Sequence, residues 1–140
     1  MHAKVRAALI EAQRGVVLVE ALISILLFSL GILALVGLQA SMSKNVTQAK
    51  LRAEASFLAN QLIGQMWVDQ ANLTNYAATS GTCTNAAYTS CAKWQTQVRQ
   101  VLPGGSANVT VNGTTVNIAL SWRMPGEESS QFQIAADITN

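Results

Sequence analysis

Apolar and polar positions divide the chain into stretches with different periods. From Val16 to Leu38 an apolar run of 23 residues is interrupted by one charge, Glu20. At about 1.5 Å per residue a helix of that length spans roughly 34 Å, enough to cross the apolar core of a bilayer. Beyond Leu38 polar residues return but helical spacing persists. Leu51, Ala55, Leu58, Leu62 and Met66 fall at i, i+4, i+7, i+11 and i+15, with Ile63 and Trp67 beside them. No proline occurs before Pro103. The pattern therefore predicts one helix from about Val16 to about Ala71, hydrophobic all round in its first half and amphipathic in its second. Gly31, Gly37 and Gly64 each weaken it by about 1 kcal/mol relative to alanine, and mark flexible points or close helix–helix contacts.

From Asn72 to Cys91 the residues are mostly Asn, Thr, Ala, Ser and Gly, which predicts a loop. Helical spacing returns over Ala92–Leu102, where Trp94, Val98, Val101 and Leu102 share a face. Leu102-Pro103-Gly104-Gly105 ends it, because proline cannot continue the helix and the glycines allow the turn. The last third alternates. Val109 and Val111 precede Asn112-Gly113, a strong hairpin signal. Val116, Ile118, Leu120 and Trp122 follow, and Pro125-Gly126 begins a second turn before Phe132, Ile134, Ala136 and Ile138. Three antiparallel strands with one apolar face and a helix with one apolar stripe cover each other. The expected fold class is α+β, with the sheet packed on the second half of the long helix.

Composition and charge sharpen this picture. Of 140 residues, 50% are hydrophobic and 11% charged. The chain is too apolar to be disordered. It is too weakly charged for a nucleic-acid binder held by phosphate contacts, so no nucleic-acid partner is expected. The net charge of +2 resides in residues 1–15, where Lys4, Arg6 and Arg14 face Glu11; beyond Gly15 six basic and six acidic side chains cancel. By the positive-inside tendency the N-terminal end stays in the cytoplasm and the C-terminal part is exported.

Cys83 and Cys91 lie in the polar stretch. In an exported loop they read most simply as a disulfide closing a small ring. The competing reading, a two-thiolate metal site, lacks partners, since the only histidine is His2, on the other side of the membrane. Nor does the exported part hold a Ser/His/Asp set, a metal-ligand cluster or a phosphate loop. No enzymatic activity, cofactor or metal is expected. Trp67, Trp94 and Trp122 read as packing residues rather than a ligand box. Glu127-Glu128 reads as a solvated loop tip or, alternatively, a contact point for a partner.

The junction Arg14-Gly15-Val16-Val17-Leu18-Val19-Glu20 carries the most specific signal. A secretory signal has an apolar core of about 7–15 residues followed by a cleavage site. Here the core is longer, and Leu38-Gln39-Ala40 matches that site poorly. A plain membrane anchor explains the length but not Glu20. A carboxylate in the apolar run costs about 2.5–3.5 kcal/mol at the bilayer centre and less near the interface. The bland alternative is a carboxylate tolerated at the membrane edge.

Gly15 followed by an apolar residue, with Glu20 at the fifth position after the glycine, resembles the processing site of type IV prepilins. The resemblance implies a leader, residues 1–15, that a membrane-embedded prepilin peptidase removes by cutting between Gly15 and Val16. The same enzyme would then methylate the new amine of Val16. The family usually has Phe at that position, and this chain has Val. Glu20 would be the acidic residue that pairs with a Val16 amine, its own or a neighbour's. A buried charge is costly unless paired, so such pairing would set the axial register of an assembling fibre.

The run Leu30-Gly31-Ile32-Leu33-Ala34-Leu35-Val36-Gly37-Leu38-Gln39 is similar to the helix of PilV-type minor pilins. So are Trp94, Gln97-Val98, Leu102-Pro103-Gly104-Gly105 and the strand ending in Ser121-Trp122, in the same order. Major pilins commonly have a proline early in the helix and a disulfide near the C-terminus, and this chain departs from both. The resemblance implies the type IV pilin fold, with residues 16–38 as transmembrane and assembly helix and 39–140 as a periplasmic domain that includes the rest of the helix. It implies a bacterial inner-membrane protein that later enters a pilus fibre on the cell surface. There it would help prime pilus assembly near the tip and so support twitching motility. Expected partners are the prepilin peptidase, other minor pilins, the major pilin, a tip adhesin, the inner-membrane assembly platform and, before assembly, the lipid bilayer. A pseudopilin of a type II secretion system is the alternative, since it shares leader, glutamate and helix.

Overall fold

The computed structural model describes residues 2–139 and, within them, the side chains from Gly15 onward. The side chains of Lys4, Arg6, Glu11 and Arg14 therefore lie outside that description, as do Met1 and Asn140 altogether. The chain divides into two compact units, Met1–Val46 and Thr47–Asn140. The fold is α+β, a layout like that of the pilin fold: a long N-terminal helix whose later turns pack on a small antiparallel sheet.

Helix α1 spans His2–Val68 without a break. Gly31 and Gly37 do not interrupt it, and a methyl group added at either would meet no atom within 4 Å. In the first unit α1 is exposed at every residue from 15 to 46, and from Val16 to Leu38 it is apolar on all sides but for Glu20 and the small residues Ser24 and Ser29. It is long and apolar enough to cross a membrane.

In the second unit the predicted stripe is the core. Ala55, Leu58, Leu62 and Met66 are buried against Val116, Ile118, Leu120 and Trp122 of the sheet in one apolar cluster. α1 ends at Val68, three residues short of the expected Ala71. No basic residue occupies its last turn. Asp69 follows, and its carboxylate bonds to side chains outside the helix, which competes with continuing the helical ladder.

The predicted loop over 72–91 is more ordered than its composition indicates. A 3-10 helix, Gln70–Tyr76, is followed by two short strands, β1 (Ala78–Thr79) and β2 (Thr82–Cys83). Their turn has positive φ at both central residues, Ser80 (50°) and Gly81 (75°), as a type I′ hairpin requires. Strands of two residues show no period in sequence, so only Ser80-Gly81 signals them. Helix α2 spans Thr89–Val101, starting three residues earlier than expected. Cys91, Trp94, Val98 and Leu102 are buried, while Val101 is exposed.

The three long strands are β3 (Ser106–Asn112), β4 (Thr115–Arg123) and β5 (Ser129–Asp137). With β1 and β2 they form one antiparallel sheet in the order β2-β1-β3-β4-β5. The β3–β4 loop is Gly113-Thr114 rather than Asn112-Gly113, since Asn112 pairs with Thr115. Positive φ is confined to Gly113, which matches a type II′ turn. Pro125-Gly126 forms the next turn, where the Glu127 N–H donates to the Met124 carbonyl at 3.1 Å and Gly126 has φ 78°. That is a type II turn.

Candidate functional site

Gly15, Val16 and Glu20 lie on α1 and are exposed. With Val19, Ile23 and Ser24 they line a shallow apolar groove along the helix. Val16 and Glu20 are four apart, so they face the same side of the helix, one turn from each other. Among the described residues no side chain pairs with Glu20. A methyl group added at Gly15 would meet no atom within 4 Å, so packing within this chain does not demand glycine there. The Gly15–Val16 peptide bond sits inside α1.

The second unit fixes α1 with side-chain hydrogen bonds that a hydrophobic pattern does not reveal. The Trp94 indole N–H donates to the Leu58 carbonyl at 2.9 Å. Gln48 ties the helix to the far end of the sheet: its Nε2 donates to Glu127 Oε2 at 2.6 Å, and its Oε1 accepts from Trp122 Nε1 and Ser130 Oγ, each at 3.4 Å. Glu127 is thus half-buried and bound to α1 rather than a free loop tip, whereas Glu128 is exposed. The signal for Gln48 is spacing alone, three residues before Leu51 on the buried stripe.

A second polar cluster lies where α1 ends. The hydroxyls of Tyr76 (3.0 Å) and Tyr88 both donate to Asp69 Oδ2, and Asn72 Nδ2 donates to Oδ1 at 2.7 Å. The two rings meet edge to face with centroids 5.1 Å apart. These donors, Tyr88 first and then Asn72, hold the Asp69 carboxyl below the usual carboxylate range. Burial first, then the Tyr88 hydroxyl and Asp69, pushes the Tyr76 phenol above its usual range. Asn75 and Asn85 extend the cluster to the loop before α2. With three donors on its two oxygens, Asp69 is a fastening point rather than a free base. Beside it Cys83 and Cys91 are joined in a disulfide that links β2 to α2, with Cα atoms 6.1 Å apart. The Arg99 guanidinium donates to the Gly81 carbonyl and holds the β1–β2 turn against α2.

Among the described residues no group of His, Cys, Asp and Glu side chains converges as metal ligands would. Glu20 belongs to the first unit, and the disulfide and the Asp69 cluster belong to the second. Compared with known proteins, the chain matches no family model, no curated protein and no solved structure.

Proposed function

We propose that this chain is a type IV minor pilin of the PilV type: a membrane-anchored precursor, cut after Gly15 and methylated at Val16, that helps prime pilus assembly near the tip. The role is structural rather than catalytic. The observation that supports it best is the division of α1. From residue 16 to 38 the helix is apolar but for Glu20, Ser24 and Ser29 and wholly exposed, while from Leu51 to Met66 one stripe is buried by the sheet. An apolar helix exposed on all sides requires a non-aqueous environment. A bilayer supplies it first, and the helices of neighbouring subunits supply it in a fibre. Cleavage creates a cationic amine one turn from Glu20, or available to the Glu20 of a neighbour. Leaving lipid for the fibre is then favourable in the register that pairs amine with carboxylate.

In this reading the chain meets the prepilin peptidase, the assembly platform, other minor pilins, the major pilin and a tip adhesin in turn. The test is the mass of the chain purified from membranes of cells with and without prepilin peptidase. Loss of residues 1–15 and one methyl group on Val16, both dependent on the peptidase, are expected; an uncut chain in peptidase-competent cells overturns the reading. A deletion strain assigns the system. Loss of surface pili and twitching supports a minor pilin. Intact pili with lost exoenzyme secretion assigns a pseudopilin of a type II secretion system instead.

A further inference from the structure

The two edges of the sheet are unlike. On one side β2 is two residues long, packs against α2 and is joined to it by the Cys83–Cys91 disulfide. On the other, β5 runs nine residues and pairs with β4 without a bulge, from Arg123↔Ser129 to Thr115↔Asp137. Among the described residues nothing pairs with its outer side. Proteins usually blunt such an edge with lysine, proline or a bulge. Between Ser129 and Ala136 there is no proline, no glycine and no charged side chain. The apolar cover also stops short here. Leu120 and Ile118 on β4 are 0% and 1% exposed, whereas their β5 partners Phe132 and Ile134 are only half-buried. One more strand would continue the ladder and cover both.

The charges at the edge select the occupant. Exposed Glu128 precedes β5 and exposed Asp137 ends it; Arg123 sits one strand in from the edge. A second copy paired antiparallel, with Phe132 opposite Ile134, sets Asp137 opposite Ser129 and Glu128 opposite Ile138, so neither carboxylate meets a basic side chain. A parallel copy sets like charge against like. The parallel copy opposes carboxylates, which is unfavourable, and the antiparallel copy leaves them without a basic partner, whereas a strand with basic ends pairs with both. We propose that the outer edge of β5 docks a strand from a different protein chain, one that alternates apolar and polar residues and carries a basic residue at each end. Main-chain bonds give such strand addition its affinity, and alternate side chains give it selectivity. The inference is independent of the pilin reading.

The test uses the full chain in detergent micelles and two synthetic peptides with the same alternating threonine–valine centre, one ending in lysines and one in glutamates. Amide hydrogen exchange is read by NMR. The lysine-ended peptide is expected to slow exchange at alternate residues of Ser129–Asp137 and to bind about tenfold more tightly than the glutamate-ended one. Gln133→Lys combined with Ala135→Lys, both at exposed positions, is expected to abolish binding with thermal unfolding unchanged. Equal affinity for the two peptides, or protection elsewhere and none on β5, overturns the proposal. So does β5 protection that rises with protein concentration in the absence of peptide, which makes a second copy the occupant.

Discussion

The indole nitrogen of Trp94 lies 2.9 Å from the backbone carbonyl of Leu58 and donates to it. That carbonyl belongs to the middle of the amphipathic part of α1, so the bond fixes where α2 crosses the long helix. Trp94 is 2% exposed and belongs to the same apolar cluster as Leu58, Leu62 and Val98. Trp94→Phe removes the donor and part of the packed volume. It is expected to destabilise the second unit by about 1–3 kcal/mol. Trp67→Phe, at a residue 44% exposed, is expected to cost less than about 1 kcal/mol. Urea unfolding of the two variants decides the matter, and equal losses would contradict the role assigned to Trp94.

Gly105 is required by close approach rather than by φ. A methyl group there would lie 2.7 Å from the Val98 carbonyl oxygen and 2.8 Å from that of Leu102. Both are backbone atoms at the end of α2, where the Gly105 N–H also donates to Leu102 at 2.9 Å. Gly105→Ala is expected to destabilise by about 1–3 kcal/mol. Gly64→Ala, in open space on α1, is expected to be neutral or stabilising by up to about 1 kcal/mol. A thermal unfolding midpoint unchanged by Gly105→Ala would show that the turn relaxes freely.

The stripe on α1 and the three long strands are legible in the sequence because each repeats its period over several turns or pleats. Leu51 to Met66 repeats at helical spacing, and Val116 to Trp122 at spacing two. What is not legible depends on partners distant in sequence. Gln48 reaches Glu127, Trp122 and Ser130 across the fold, and Asp69 gathers Tyr76 and Tyr88. Neither set has a period. The β1–β2 hairpin is too short to show alternation, and its loop-like composition conceals it. Of the candidate site, Gly15, Val16 and Glu20 are legible as a local motif. The structure adds that Val16 and Glu20 share one side of one helix and that no described side chain pairs with Glu20.

Stability should fall on both sides of neutral pH, for reasons located in the Asp69 cluster. The Asp69 carboxyl is lowered in the folded chain, by Tyr88 first. Its contribution is present above the unfolded value of about 3.9 and is lost as pH falls through the folded value. The Tyr76 phenol is raised, by burial first. Its contribution is complete below the unfolded value of about 10 and is lost as pH rises toward the folded one. Asp69→Asn should flatten the acid limb of the urea midpoint against pH, and Tyr76→Phe the alkaline limb. An acid limb unaltered in Asp69→Asn would place the acid sensitivity elsewhere.

The disulfide between Cys83 and Cys91 closes a small ring between β2 and α2. Chain entropy assigns such a ring about 2.5 kcal/mol. Replacing both cysteines by serine is expected to cost about that much and to speed hydrogen exchange first in β1, β2 and the start of α2. Cys83 and Cys91 sit at the margin of the apolar cluster, whose α1, β3 and β4 members lie outside the ring in sequence and should keep their protection. Uniform acceleration through the second unit would instead mean that the ring is needed for the whole fold.

If the chain is the pilin proposed above, Glu20 separates anchoring from assembly. In lipid near the interface an unpaired carboxylate costs less than at the bilayer centre, where the figure is about 2.5–3.5 kcal/mol. Glu20→Ala should therefore leave membrane insertion intact, and cleavage after Gly15 should proceed, since Glu20 lies beyond the Gly15–Val16 bond. In a dry bundle of helices the Val16 amine would then have no partner, and truncating one member of a buried pair costs about 3–5 kcal/mol. Incorporation into sheared fibres should fall by more than tenfold. Glu20→Asp, which keeps the charge but shortens its reach, should fall between the two. Cell fractions probed for cleaved chain in the membrane and in fibres give the result directly. Normal incorporation of the alanine variant would rule out amine–carboxylate pairing as the source of register.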